Sequence, residues 1–477
     1  MLKVTGERHG KVSPVPGDSA EAMFARSGRK WGVFLLAGIV CTIAIMITNP
    51  WTIIFFTSLS MNILTLAAMF QFVEAGGAQF YNTGTAENSQ QATDSSPPDA
   101  TAVIFAYLPN EQHIICETIK YFLHATLYEG TLQVVLAYNT DRALDVVNLL
   151  EEIQSKNTNF RILHIKNSKR KATNLNTILD EIDTPIVGFF DADSRPARHS
   201  FSKACQWLMH GYDFVQGSNN IENSEKNLLT RLTSLEFTLK YHGAYVGRYH
   251  TLGVSYFSGS NGYWRTETVK RLKANENAQV EDIDMAVRAM LQGAALAYDP
   301  TIWAYEEAPT TIAAWWRQRV RWAQGWAQLL GWHQGNILKT DAMNRICKAV
   351  WCFFLFGRRF LLPWAFTAVL IGFVLHFTFE KPLTKIEIVN LSALFCVQLL
   401  GSVYVGRASL RSLISMNRCD SPNHSEIIIY SIIFPLYDVI RTLTILQGSL
   451  ALMYTPVTWH CTPRMHERHL RRMGYDD

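Results

Sequence analysis

The chain has 477 residues, more than one domain usually takes, with 48% hydrophobic and 18% charged residues. Its mean hydropathy is close to zero, which excludes uniform greasiness and points to apolar stretches beside an ordinary globular segment. A net charge of +4 is too small to argue for a nucleic-acid partner, and none is expected.

The placement of charge is more informative than its sum. Arg26, Arg29 and Lys30 stand just before the first apolar run, and Arg464, Arg468, Arg471 and Arg472 crowd the tail, so both ends are expected on the cytoplasmic side. The eight cysteines form no Cys-x-x-Cys pair and have no histidine at zinc spacing, which reads as free thiols in a reducing compartment. Glu7, Pro14, Pro16 and Asp18 precede any apolar run, unlike a cleaved signal peptide, so the first apolar segment is expected in the mature protein.

Residues 1–30 are rich in Gly, Pro and Ser, and no ordered fold is expected there. Trp31 to Thr48 and Trp51 to Phe72, parted by Asn49-Pro50, are each near the roughly 20 residues that span a bilayer. They predict a transmembrane hairpin over 31–73. Residues 81–100 have linker composition.

The globular segment, 101–335, alternates strand and helix patterns. Strands are expected at Thr101–Tyr107, Thr131–Tyr138, Phe160–Ile165 and Pro185–Phe190, with helices at Gln112–Leu127, Asp141–Lys156 and Asn174–Ile182. That alternation predicts an α/β fold with a mainly parallel sheet, helices on both faces, and ligands at the carboxyl ends of the strands.

Apolar segments return at about Val350–Phe379, Ile388–Val405 and Ile427–Met453. Three full crossings would leave the basic tail outside. Gly357-Arg358-Arg359 interrupts the first, and a charge at a helix centre costs about 2.5 to 3.5 kcal/mol on insertion, so 336–359 is read as interfacial and 360–454 as the C-terminal transmembrane helices. The third contains Pro435, Asp438 and Arg441, which suits a bend or a re-entrant turn. An even number of crossings keeps 455–477 as a basic cytoplasmic tail.

Four patches carry chemistry. Phe189-Phe190-Asp191-Ala192-Asp193 is an apolar strand ending in two carboxylates, a donor pair for a hard divalent cation that would bridge a nucleotide diphosphate; a solvated turn is the plain alternative. Glu281-Asp282-Ile283-Asp284 precedes a helical stretch, Met285 to Leu291, and Asp282 is the candidate general base; acids at a helix start also simply favour its positive end. Gln318-Arg319-Val320-Arg321-Trp322 offers guanidinium donors to phosphate and an indole platform to a sugar ring, and fits an interfacial amphipathic helix equally well. Lys171, with Asn174 and Asn176, follows the basic run that starts at Lys166 and can reach phosphate or lie on a solvated face.

In this order the patches resemble the processive family-2 membrane glycosyltransferases, the bacterial cellulose, hyaluronan and poly-N-acetylglucosamine synthases. The resemblance implies a GT-A (nucleotide-diphospho-sugar transferase) domain between transmembrane helices that form a product channel. It implies that Tyr107-Leu108-Pro109-Asn110-Glu111 touches the nucleotide, Lys171 lies near the diphosphate, and Asp191 and Asp193 form the metal pair. Gly259-Ser260 matches the loop before the acceptor-side helix, Asp282 the base, with Glu281 beside it, and Gln318, Arg321 and Trp322 the Gln-x-x-Arg-Trp motif. The second strand departs from the family: Asn139 stands where an Asp-Asp-Gly type end contacts uracil. An amide can donate and accept, so nucleotide binding is retained in principle and UDP-sugar stays the expected donor.

The resemblance thus implies an inverting hexosyltransferase with Mg2+ or Mn2+, a polysaccharide acceptor and a bilayer, and leaves room for a homo-oligomer or an accessory secretion subunit. Location in the plasma membrane with a cytoplasmic catalytic domain is expected. Transfer of one sugar to a membrane lipid, or a scaffold or transporter with an inactive domain, are the rival readings.

Overall fold

The computed structural model describes residues 18–79, 96–166, 168, 170–416 and 424–452. The termini, most of the expected linker and the short segment 417–423, with Cys419 and Cys461 among them, lie outside the described residues. The six cysteines within them are free thiols.

Two helices open the chain, α1 (Asp18–Met46) and α2 (Pro50–Gln79). Helix α1 starts well before the expected Trp31, because the strong helix formers of Ala20-Glu21-Ala22-Met23 let the helix begin within the polar segment. Pro50 is the first residue of α2, where its missing N–H costs nothing, so Asn49-Pro50 marks the turn.

The α/β unit follows as β1 (Ala100–Tyr107), α3 (Leu108–Glu111), α4 (Ile115–His124), β2 (Leu132–Asn139), α5 (Val146–Lys156), β3 (Phe160–His164), α6 (Lys171–Leu179) and β4 (Ile186–Asp191). Each expected strand is present to within two residues, whereas α4 is shorter than Gln112–Leu127. Then come β5 (Arg195–Pro196), α7 (Ser200–Met209), β6 (Phe214–Ile221), α8 (Leu228–Thr238) and a π-helical turn (Leu239–Tyr245) that runs into α9 (Val246–Leu252). The unit closes with β7 (Gly262–Arg265), α10 (Thr266–Leu272), α11 (Glu281–Leu291), β8 (Leu296–Glu306) and α12 (Ile312–Lys339).

The eight strands form one mixed sheet in the order β3-β2-β1-β4-β7-β6-β8-β5. Strands β3, β2, β1 and β4 run parallel, while β7 lies antiparallel between β4 and β6. The apolar runs that built the strands pack on both faces. Ile104, Leu136 and Phe190 belong to one core, and Val103, Val135 and Phe189 to the other. Alternate residues of one strand thus serve opposite layers, as a two-sided sheet requires.

The chain then continues as α13 (Arg345–Cys352), a second π-helical turn (Phe353–Leu361), α14 (Leu362–Thr378), α15 (Lys385–Ser415) and α16 (His424–Ala451). Gly357-Arg358-Arg359 does not end the helix, contrary to the expected break. The π turn widens the backbone around the arginines, and Arg345–Thr378 forms one 34-residue apolar span. Helix α16 likewise carries Pro435 within a single continuous helix instead of re-entering. Among the described residues four helices are long and apolar enough to cross a membrane, Pro50–Ala78, Arg345–Thr378, Lys385–Ser415 and His424–Ala451, with a shorter apolar helix at Lys30–Met46. Their outward faces expose Leu66, Val374, Val389 and Leu400, a surface matched to hydrocarbon.

Helix α2 joins the two parts of the molecule. It packs on α14 and α15 and also on α9 of the α/β unit. A side chain at Gly247 would start 1.3 Å from the Glu74 carbonyl oxygen, so the backbones of α9 and α2 touch directly. Beside that contact Arg248 Nε donates to Glu74 Oε1 at 2.9 Å, a buried ion pair.

Candidate functional site

Three parallel strands end side by side. Tyr107 is in register with Asn139, and Phe105 with Asp191, so the carboxyl ends of β2, β1 and β4 share one edge of the sheet. There they border a cavity of about 730 Å³ that every sequence-predicted site residue lines: Tyr107, Glu111, Asn139, Lys171, Asp191, Asp193, Gly259, Ser260, Glu281, Asp282, Gln318, Arg321 and Trp322.

At the strand edge, Asp191 pairs with the Lys171 ammonium, which also donates to the Gly259 carbonyl at 2.6 Å. Burial pulls the Lys171 pKa down, but the charges of Asp191, Glu281 and Asp282 outweigh it and hold the pKa above the ordinary lysine value. The Asp191 amide donates to Ser260 Oγ at 3.2 Å, and Ser260 Oγ shares a 2.7 Å hydrogen bond with Ser194 Oγ. Asp193 is buried and its Oδ2 accepts from the Glu307 amide at 2.9 Å. Glu111 Oε2 accepts from the Tyr107 amide at 2.8 Å, closing the turn after β1.

The Asn139 amide is engaged on both sides. Its Nδ2 donates to the Ser168 carbonyl at 3.1 Å and its Oδ1 accepts from Asn174 Nδ2 at 3.0 Å. It is 7% exposed, so a base edge reaching it would compete with these bonds. Asn176, the other asparagine noted beside Lys171, points away and bonds the Ala274 carbonyl and Glu276.

The acidic cluster does not precede its helix but forms the first turn of α11. Glu281 and Asp282 line the cavity. Asp284 turns into the core, where it accepts from Arg288 Nε and His333 Nε2, each at 2.7 Å. Burial, reinforced by the adjacent Glu281 carboxylate, pushes the Asp282 pKa up to about 7, with the Ile283 amide, Lys171 and Arg321 opposing it. Burial also raises Glu281. Gly259, at φ +95°, faces Asp282: a Cβ there would lie 3.0 Å from Asp282 Oδ2. Only glycine gives both the left-handed backbone and the clear approach to that carboxylate.

Helix α12 presents Gln318, Trp322 and Trp326, one turn apart, along the cavity. Arg319 packs 4.6 Å over the Trp322 ring and is held by Glu236 Oε2 at 2.7 Å, so its role is to fix the indole rather than to meet solvent. Glu236 also accepts from Tyr437 of α16 at 2.6 Å. Burial would raise the Glu236 pKa, but Arg319, Arg441 and the Tyr437 hydrogen bond bring it below the ordinary glutamate value.

Sequence reasoning missed Glu236 and Lys240. Burial lowers the Lys240 pKa to about 8, against the pull of Glu306 and Glu236, and its ammonium lies 4.4 Å over the Tyr241 ring. The available signal was the aromatic spacing Phe237, Tyr241, Tyr245, one turn apart around a lysine. Past Trp326 the cavity continues between α14, α15 and α16, along Phe366, Leu391, Gln398 and Thr442.

The family model described as "Glycosyl transferase family group 2" matches residues 186–404. The chain is 26% identical over 281 residues to the probable glycosyltransferase YdaM of Bacillus subtilis (strain 168), covering 57% of this chain and 66% of that protein. It is 30% identical over 257 residues to glucomannan 4-beta-mannosyltransferase 2 of Arabidopsis thaliana, covering 52% of this chain and 44% of that one. The chain therefore spans about two thirds of the bacterial relative and less than half of the plant one. Among solved structures, the mannosyltransferase PcManGT from Pyrobaculum calidifontis, in complex with GDP-Man and Mn2+, is similar at 17% identity and a TM-score of 0.40, over 82% of this chain and 97% of that one. S. aureus TarS 1-349 is similar at 13% identity and a TM-score of 0.37, over 71% of this chain and 92% of that one. The family-model match over residues 186–404 and relatives that are themselves named glycosyltransferases support a family-2 glycosyltransferase, and the mixed, mainly parallel sheet set between apolar helices agrees with it.

Proposed function

We propose that the chain is an inverting hexosyltransferase that uses a nucleotide-sugar donor to extend a β-linked polysaccharide and passes the product between its membrane helices. The observation that carries this reading is the single cavity that runs from Asp191 and Asp193, past Asp282 and Trp322, into the bundle of α14, α15 and α16. A cavity closed beyond Asp282 would suit a small acceptor, whereas this one leaves a path for a lengthening product.

Asp282 takes the proton of the acceptor hydroxyl. The freed oxygen pair attacks the anomeric carbon, the carbon–oxygen bond to the diphosphate breaks, and the nucleoside diphosphate leaves with that bond's electrons. Attack opposite the leaving group inverts the centre, so an α-linked donor gives a β bond. A pKa raised to about 7 suits the base, since a general base works best with a pKa near the operating pH. Lys171 and Arg321 place positive charge by the departing diphosphate. Trp322 offers its ring to the acceptor sugar, with Gln318 beside it.

The carboxylates fit a hard cation. Asp191 and Asp193 are oxygen donors bordering one cavity, and a substrate diphosphate would supply the oxygens that a two-carboxylate set lacks. Mg2+ or Mn2+ held there would neutralise charge on the leaving group.

The engaged amide of Asn139 leaves uracil without a dedicated partner, so GDP-sugars are tested beside the expected UDP-sugar donors. A second reading, transfer of one sugar to a membrane lipid, is favoured by the apolar walls of the cavity beyond Trp326. The test is incubation of the detergent-solubilised full chain with radiolabelled UDP- and GDP-sugars and Mg2+ or Mn2+, then sizing of the product. A high-molecular-weight, glycosidase-sensitive polymer is expected. Label confined to a lipid-soluble product would replace the polymerase by the lipid reading, and no incorporation from any donor would overturn both.

A further inference from the structure

The membrane end of the cavity holds more positive charge than its carboxylates balance. Arg248 is paired with Glu74, Arg319 with Glu236, and Arg441 with Asp438 and, at 3.7 Å, Glu236. Arg358 and Arg359 line the same cavity, yet among the described residues neither has a carboxylate within 4.0 Å. Arg359 Nε is buried without a hydrogen-bond partner. What the two guanidiniums do have is aromatic faces: Arg358 lies 5.1 Å over Phe354 and Arg359 lies 5.0 Å over Trp326. Rings hold a guanidinium in place, but they neither neutralise two adjacent charges nor satisfy a buried donor. Both side chains are half-buried along the cavity wall, so an anion entering the cavity would meet two guanidiniums and an unsatisfied Nε.

The surroundings say what carries that anion. Both arginines sit on the π-helical turn inside the apolar span Arg345–Thr378. Beyond them the cavity wall includes Leu362, Phe366, Val369, Leu391, Leu394 and Phe395, a surface that a hydrocarbon chain would match. Phe395 lines the cavity and is still 60% exposed on the outside of the bundle. Helices α14 and α15 each pack along α2 and both line the cavity, so a route out between them would run sideways. A molecule entering by that route comes from the bilayer.

The site is separate from the donor end. Arg358 and Arg359 lie over Phe354 and Trp326, whereas Lys171 pairs with Asp191 and the Gly259 carbonyl. Trp326, under Arg359, lies one turn past Trp322 on α12, a rise of about 6 Å.

We propose that Arg358 and Arg359 bind the phosphate of a membrane lipid whose tail leaves between α14 and α15, placing its head group one turn beyond the sugar platform at Trp322. The lipid then serves as primer or acceptor for the transfer; the proposal deepens the acceptor side of the proposed function and rests on Asp191 and Asp193 marking the donor end.

The test uses the full chain in neutral detergent and reads direct binding by native mass spectrometry. The probes are a short-chain polyprenyl monophosphate, the matching polyprenol and phosphatidylglycerol. Saturable binding of at least one phosphate lipid and none of the alcohol is expected. The double variant Arg358→Gln/Arg359→Gln should weaken it at least tenfold, while Arg358→Lys/Arg359→Lys should keep most of it and so exclude a folding defect. Preference for the monophosphate would identify a lipid-phosphate acceptor, whereas preference for phosphatidylglycerol would keep the phosphate site and overturn the lipid's role as primer or acceptor. Equal binding of alcohol and monophosphate, no phosphate-lipid binding, or binding untouched in the glutamine variant would overturn it. Donor binding is read on the same samples, so a misplaced donor site shows itself as lost nucleotide binding with lipid binding intact.

Discussion

The two acidic segments of the cavity, the end of β4 and the first turn of α11, treat their carboxylates in opposite ways. At the end of β4 each acid has a protein partner: Lys171 for Asp191, the Glu307 amide for Asp193. In α11 the division falls within a single turn. Asp284 is fully buried but bonded to Arg288 and His333, which bring its pKa below the ordinary aspartate value despite burial, while Asp282, two residues earlier, has no cation within 4.0 Å among the described residues and is pushed up to about 7. Burial alone therefore does not decide ionisation; the helical rotation between positions 282 and 284 does, by turning one side chain to the cavity and the other to a pair of cations.

The contrast is sharpest under substitution. Asp282→Asn is expected to lower turnover by about 10²- to 10⁴-fold while leaving donor affinity within a few-fold of wild type, read by product formation and by nucleotide binding. Activity above about a tenth of wild type would remove Asp282 as the base. Asp193→Asn should divide the other way, losing metal-dependent nucleotide binding along with activity, as measured by titration calorimetry with and without Mn2+.

Asp284→Asn should act on stability, because it strands the Arg288 and His333 side chains, at a cost of about 3 kcal/mol in denaturant unfolding with turnover per folded molecule little changed. The smallest effect expected is on pH dependence. The rate should rise with pH through about 7 as Asp282 loses its proton, and Glu281→Gln should move that limb to lower pH by removing a neighbouring negative charge. The same raised pKa gives a sign for stability. A carboxyl whose folded pKa lies above its unfolded value adds stability below the unfolded pKa and loses it as pH rises through the folded one, so Asp282→Asn should raise the melting temperature more at pH 8 than at pH 5.

Most of the α/β unit was legible because its signals are local. The apolar runs ending at Tyr107, Tyr138 and Phe190 carry strand periodicity and their own termini, and a parallel sheet brings those ends together whatever the loops do. Asp191, Asp193 and Asp282 stood out as acids at element boundaries, and the same cavity collects all three. What stayed hidden depends on contacts between distant segments. Glu236 becomes part of the site only through Arg319 and Tyr437, which lie 83 and 201 residues away in sequence. The π turn at Phe353–Leu361 has no composition of its own, so Arg358 and Arg359 read as a helix break when they are residues turned toward a cavity. The amide of Asn139 read as available to a base because the hydrogen bond from Asn174 crosses between elements.

Helix α12 touches both halves of the molecule at close quarters. A Cβ at Gly325 would stand 2.6 Å from Val280, just ahead of Glu281 and Asp282, and one at Gly448 of α16 would stand 2.6 Å from the Ala323 methyl group. Gripped on two sides within three residues, this helix cannot slide or roll by a step without collision. It is the common ruler of the molecule: the height of the Trp322 ring is measured at once from the start of α11, where Asp282 lines the cavity, and from the membrane bundle.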